Sequence, residues 1–368
     1  MSSANGTRSE AAETTETTET TEVPVAPGES VQAVLATVEP NTVVRLAEGT
    51  YAGNLAVTTP GVSIVGAGPG RTVLVPGVVA PSTIPPLHDA PADVVSGIAV
   101  HATSDVTIEG LTVRGFSGAG VYVHSCSGVR LRDVESDANR VWGLYLRESG
   151  DVAVRRCRAG ASQYAGVAFA FCSEADAVVS DSDCSGSAFG VFVDNSSGVR
   201  VLRNRCHGNA AGILLLHQTY EGELPGGVRD CLVADNEVSG NTLAAGGDEP
   251  DALGAAGPPI SGVGIAAIGV ERVTVVGNRV HDNRPSGPSV MPGALVLASS
   301  ADWGGSDAVD NCFEWNVVTG NEPFDALVGT DPSGQRFRNN VVGSSQPEGL
   351  FEGHVEGHVE GQGAQGTV

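Results

Sequence analysis

Gly120-Val-Tyr-Val-His-Ser125 is followed by Gly143-Leu-Tyr-Leu-Arg-Glu148, Gly166-Val-Ala-Phe-Ala-Phe171, Gly190-Val-Phe-Val-Asp-Asn195 and Gly212-Ile-Leu-Leu-Leu-His217. The glycines are 23, 23, 24 and 22 residues apart, and the pattern returns after insertions at Gly264 and Gly293. Each glycine opens a short segment of alternating character, which is the period of a strand with two unlike faces. A second apolar segment follows each first one after a polar turn, as at Val129–Leu131, Val152–Val154, Val199–Val201 and Val273–Val275. A third apolar spot comes a few residues later, at Val134, Cys157, Cys184, Cys206, Val238, Val280 and Val318. Three short strands per repeat of this length leave no room for separate hairpins. They fit one turn of a three-sided coil whose strands pair with the turns above and below.

Asparagine recurs beside the third spot, at Asn204, Asn236, Asn278, Asn316 and Asn339, and again at Asn209, Asn241, Asn283 and Asn321. Stacked amides that bond from layer to layer account for this, and Cys157, Cys184 and Cys206 read as one column of small buried thiols. Upstream, Ser30–Leu35 reads as a short amphipathic helix, followed by the coil-opening stretch from Asn41 to Gly68. A short helix, then V-x-L-x-x-G-x-Y, then a strand ending in G-x-G resembles the start of many pectin-lyase-like proteins. With the asparagine-marked repeats, the resemblance implies an all-β, single-stranded right-handed parallel β-helix over residues 28–348 with an N-terminal capping helix. Residues 1–27 read as a disordered acidic tail and 349–368 as a flexible, Gly-rich one that holds His354 and His358.

Of the 368 residues, 43 are acidic and 20 basic, a net charge of -23, and every basic residue is arginine. Such a surface repels phosphate backbones, so nucleic acid is not an expected partner. Without lysine there is no lysine base or Schiff base. No run reaches transmembrane length, and Met1–Pro27 has no signal-peptide core; the reading is cytoplasmic, or secreted if a native leader has been removed. Seven cysteines with no CxxC leave no zinc motif. The oligomeric state is open.

If the residues one and three after each glycine point inward, those two and four after it form an outer column. It reads Tyr122 and His124, Tyr145 and Arg147, Ala168 and Ala170, Phe192 and Asp194, Leu214 and Leu216, with His217 just beyond. Strand spacing of about 4.8 Å makes this one patch, with the two alanines as a hollow for a sugar ring. Tyr122, His124, Tyr145, Arg147, Asp194 and His217 are the candidate catalytic residues. Arg147 would hold a carboxylate, His124 or a tyrosine would accept a proton, and Asp194 or Glu148 would partner it. Glu148, Phe192, Tyr220 and Trp303 are the candidate substrate contacts. Insertions at 78–96, 242–262, 284–292, 218–230 and 300–310 would wall the groove; Asp248, Glu249, Asp251, Asp302 and Asp307 make Ca²⁺ a candidate occupant of the acidic loops. Asp181 and Asp183 read as turn residues.

The motifs of polygalacturonases, alginate epimerases and pectate lyases are missing. The expected function is therefore broad: a carbohydrate-active enzyme of lyase or epimerase type, abstracting a proton beside a carboxylate. A non-catalytic glycan-binding module and an intracellular enzyme acting on a small metabolite are the alternatives.

Overall fold

The computed structural model describes residues 21–77, 94–219, 223–247 and 257–351. Among them the strands form two long parallel ladders. An 11-stranded sheet runs from Leu55–Val57 to Ser345–Gln346, and a 21-stranded sheet makes the other two sides of the coil. The recurring strands Ala119–His124, Trp142–Arg147, Ala165–Ala170, Phe189–Asp194, Ala211–Leu216 and Val263–Ile268 are successive neighbours in the smaller sheet. Their alternate residues Val121, Val123, Leu144, Leu146, Val167, Phe169, Ile213 and Leu215 fill the interior. The chain is thus a parallel β-helix with a thin core of aliphatic layers. No helix among the described residues is long and apolar enough to cross a membrane.

The glycine slot has a steric cause. A Cβ on Gly143 would lie 2.3 Å from the Gly166 carbonyl oxygen, and one on Gly190 2.5 Å from that of Gly212. Later in the stack the slot passes to Ala294, because Ile265 pairs with Leu295; Gly293 is one residue out of register.

Four other details differ from the sequence reading. First, the stretch expected to be a tail up to residue 27 contains a strand, Thr21–Val25, pairing in parallel with Thr42–Leu46. Val25 is buried, and the strand covers a backbone edge that would otherwise be open. Second, residues 349–351 are not free. Phe351 is buried edge-on against Phe337, with ring centroids 5.0 Å apart; His354 and His358 lie outside the described residues. Third, Cys157 does not share a column with Cys184 and Cys206. Cys184 pairs with Ala159 and Cys206, whereas Cys157 stacks between Val134 and Ser182, in the column that the asparagines continue. Fourth, that ladder ends on Asn340, which accepts from Asn316 Nδ2 at 2.9 Å; Asn339 is a left-handed turn residue. The helix Val31–Leu35 is present, with the Ser30 hydroxyl accepting from the Ala33 N–H at 3.2 Å and Val31 and Leu35 in the core.

The outer side of the larger sheet carries a pattern of charge. In register, one residue per coil, run Glu135, Arg158, Asp183, Arg205, Glu237 and Arg279. Two residues earlier in each coil run Asp133, Arg156, Asp181, Arg203 and Asp235, all left-handed. Neighbouring coils are therefore of opposite sign in both columns. Arg156 pairs with Asp133 at 2.7 Å and Arg203 with Asp181 at 2.8 Å. Asp181 and Asp183 are turn and strand-edge members of this exposed strip.

Candidate functional site

Tyr122 pairs with Tyr145, Tyr145 with Ala168 and Ala168 with Phe192; His124 pairs with Arg147, Arg147 with Ala170 and Ala170 with Asp194. These side chains share the outer wall of the 11-stranded sheet. His101, one coil before His124, belongs to the same column. Each of these strands ends on a corner residue, which places Glu148, Phe171, Asn195 and His217 at the rim of the wall. The left-handed backbone at Glu148, Phe171 and Asn195 makes that corner.

The wall is covered rather than open. Tyr122, Tyr145, Arg147, Ala168, Ala170 and Phe192 are all buried. The hollow expected over the two alanines is filled by rings, because small residues leave height for a second layer. Trp142 stacks on Tyr145 at 4.7 Å and on Tyr164 at 4.8 Å, and lies parallel to Phe192 at 6.4 Å, arching over the small residues. Tyr122 stacks on Tyr145 at 5.4 Å, and Phe189 packs on Phe192 at 5.1 Å. This second apolar layer, with Ile260 and Met291 from the insertions, was missed. Its signal lies in the residue before each glycine: Ala119, Trp142, Ala165, Phe189 and Ala211 are in register and face outward, against simple alternation.

Within this layer the polar groups form two centres. In the first, Glu148 Oε1 accepts from Arg147 Nε at 2.9 Å and lies 3.5 Å from His124 Nε2. The Arg147 guanidinium stands 4.6 Å over the Phe171 ring and donates to the Tyr145 hydroxyl at 3.5 Å. The His124 ring lies between those of Tyr122, 5.6 Å away, and His101, 5.0 Å away. Burial lowers the His124 pKa, with Glu148 opposing, so the imidazole is neutral near pH 7. Burial also raises both phenols, Tyr145 to about 12 and Tyr122 further, which removes them as bases near neutrality.

The second centre is Asp194 with His217. Burial, reinforced by Glu223 and opposed by Arg147, raises the Asp194 carboxyl to about 8. Among the described residues its buried Oδ1 has no hydrogen-bond partner, nor do the buried Tyr122 hydroxyl and the Nδ1 atoms of His101 and His124. His217 lies one coil further on. The Ser306 hydroxyl donates to the Gly269 carbonyl at 2.9 Å, so the His217 Nδ1, 2.9 Å from that hydroxyl, must be the donor. That places the ring proton on Nδ1 and the lone pair on Nε2. Burial lowers the His217 pKa and keeps it neutral.

His124 and Asp194 are three coils apart, about 14 Å at the strand spacing, too far to act on one sugar carbon. Trp303 is remote from the first centre. It lines a cleft of about 460 Å³ against Leu214, Leu216 and Ile268, next to the second. Tyr220 lies outside the described residues, as do Asp248, Glu249 and Asp251. Among the described residues no group of three or more His, Cys, Asp or Glu side chains is placed to hold a metal ion.

No curated protein matches the chain. Among solved structures, the A-module of mannuronan C-5 epimerase AlgE6 from Azotobacter vinelandii superposes with a TM-score of 0.58 at 18% identity, over 86% of this chain and 90% of that one. The A-module of AlgE4 from the same organism gives 0.56 at 17%, over 86% and 91%. An alginate lyase from Paenibacillus gives 0.51 at 14%, over 88% and 99%. Similarity at such low identity is similarity of fold. A family described as right handed beta helix region matches residues 96–343, the stretch that carries the register, the asparagine ladders and both polar centres. With most of its coils inside that match, the chain belongs to the right-handed β-helix family.

Proposed function

We propose that the protein is a carbohydrate-active enzyme that abstracts a proton from the carbon beside a carboxylate, a lyase or epimerase by class. The observation that carries this reading is Asp194: a buried carboxyl whose Oδ1 has no partner among the described residues, protonated up to about pH 8, one coil from a neutral imidazole with a fixed tautomer. Two titratable groups whose surroundings push them to opposite protonation states at pH 7 make an acid and a base. His217 Nε2 takes the proton, and Asp194 supplies one to the leaving oxygen or the opposite face of the carbon. Arg147, two coils from Asp194, acts at a distance, its positive charge favouring the substrate carboxylate and the enolate that forms from it. Glu148 holds Arg147 in place. The solved structures of similar fold include proteins named as epimerase and lyase, which is consistent with such chemistry.

The test is turnover on a panel of uronic acid-containing saccharides in D₂O. New ultraviolet absorbance identifies a lyase; deuterium beside the carboxylate without unsaturation identifies an epimerase. Asp194→Asn is expected to lower kcat by about 10²-fold or more. Activity should fall on the acid side, at a pH below the ordinary histidine value because burial lowers His217, and on the alkaline side above about pH 8, where Asp194 loses its proton. Chelator and added Ca²⁺ in the same assay address the acidic loops. Saturable binding with no product from any substrate would leave a glycan-binding module instead.

A further inference from the structure

Beyond Asp194 the outer wall changes character. Asp194 pairs with Leu216, and the next positions are Leu214, Ala266 and Ile268. From one side Ile260 and Met291 close over these residues, and from the other Trp303 does. The resulting cleft of about 460 Å³ begins one coil, about 4.8 Å, from the Asp194 carboxyl. It is large enough for a ligand group. Polar side chains, Gln218, Thr219 and Asp302, join the lining only from the loops.

A uniform polysaccharide presents the same ring hydroxyls at every step along a groove, and buried hydroxyls without partners are costly. Here the sheet supplies polar groups up to Asp194 and none in the next two coils. The walls are built to hold shape. Trp303 rides on the one-turn helix Ala301–Trp303, whose loop closes through Trp303 N–H to Ser300 O at 2.8 Å and Gly305 N–H to Ser300 O at 3.0 Å. A Cβ on Gly305 would lie 2.2 Å from the His217 carbonyl oxygen, so this loop is pressed against the candidate base. Yet Trp303 is 44% exposed and Val290, also lining the cleft, 43% exposed. Two large apolar side chains on a fixed frame facing one cleft are an unmet apolar surface beside an acid–base pair.

We propose that this cleft takes the apolar group of an amphiphilic acidic glycoside, an alkyl or aryl glycuronide, whose sugar lies over Asp194. The inference rests on the reading of Asp194 and His217 as the reacting centre and narrows its substrate from polymer to glycoside and its reaction to C5 epimerisation, because the aglycone on C1 is not the group that elimination from C5 expels.

Calorimetric titration of the full chain with n-octyl β-D-glucuronide, D-glucuronate and n-octyl β-D-glucoside, all below micelle formation, tests it. The octyl glucuronide is expected to bind at least about tenfold more tightly than glucuronate, because each buried methylene adds to affinity. It should also bind more tightly than the octyl glucoside, which lacks the carboxylate. Val290→Asp and Trp303→Ala, both at exposed positions, should bring the octyl glucuronide and glucuronate affinities together. Equal affinities in the unaltered protein, or an octyl advantage that survives both substitutions, overturn the proposal. So does a glucuronate oligosaccharide that outcompetes the octyl compound from the cleft. The underlying reading fails separately: if octyl glucuronide binds as expected but Asp194→Asn turns substrate over as fast as the parent, the cleft stands and the acid–base assignment falls.

Discussion

At the scale of the residue, Asp194 links chemistry to stability. An unfolded aspartate ionises near its ordinary value, whereas the folded one keeps its proton to about pH 8. Between those limits the native state holds the extra proton, so this group makes stability fall as pH rises through the window. Asp194→Asn should remove that slope: thermal unfolding is expected to show the variant gaining Tm relative to the parent at pH 8 and little at pH 4. A parallel displacement at both pH values would mean that the carboxyl is ionised throughout. Strand alternation placed Asp194 with Arg147 and His124 on one wall, because a period of two leaves no choice once the valines are inside. Its burial was not legible, since that depends on loops and on rings such as Trp142 that arrive from outside the alternating segment. The same rings turned an expected open hollow into a second apolar layer.

At the scale of the element, the asparagine ladders show what a repeated polar residue does inside a coil. Asn209 Nδ2 donates to Asn241 Oδ1 at 3.0 Å, Asn241 to Asn283 at 2.8 Å, Asn283 to Asn321 at 2.8 Å, and Asn321 to the Asp325 carboxylate at 2.8 Å. Asn241 also accepts the Asn209 backbone N–H at 3.0 Å and donates to the Cys206 carbonyl at 3.2 Å. Replacing Asn241 with leucine strands several buried groups, each costing about 1–3 kcal/mol. Asn241→Leu should therefore lower Tm by many degrees in a circular dichroism melt; a change within one degree would show the ladder to be ornamental. The repetition of these asparagines was plain in the sequence, but their phase was not. Asn339 and Asn340 are adjacent and only the backbone shows which one turns and which one stacks. Cys157 and Cys184 were likewise assigned one slot, although the turn between their strands shifts the count by two.

At the scale of the whole molecule, the coils share so much sequence logic that a chain could pair a strand with the next coil but one and satisfy its aliphatic layers nearly as well. The exposed arginine–carboxylate strip on the larger sheet distinguishes those outcomes. Each of its ion pairs is worth at most about 1 kcal/mol at such exposure, so their sum says little about stability. Their order says more. Converting Arg156 and Arg158 to glutamate sets three acidic coils in succession, from Asp133 to Asp183. The double variant should refold more slowly and in lower yield at low salt and recover in about 1 M salt, where screening falls to about 3 Å; adding Asp133→Arg and Glu135→Arg should restore part of the loss without salt. Refolding that ignores both salt and compensation would remove any role for the strip. Because odd and even turns carry opposite marks from Asp133 to Arg279, a threading error of one turn there meets repulsion, whereas the correct count meets attraction. The strip is a parity check written along the solenoid, and it guards against the miscounting to which a protein built from near-copies of one unit is most exposed.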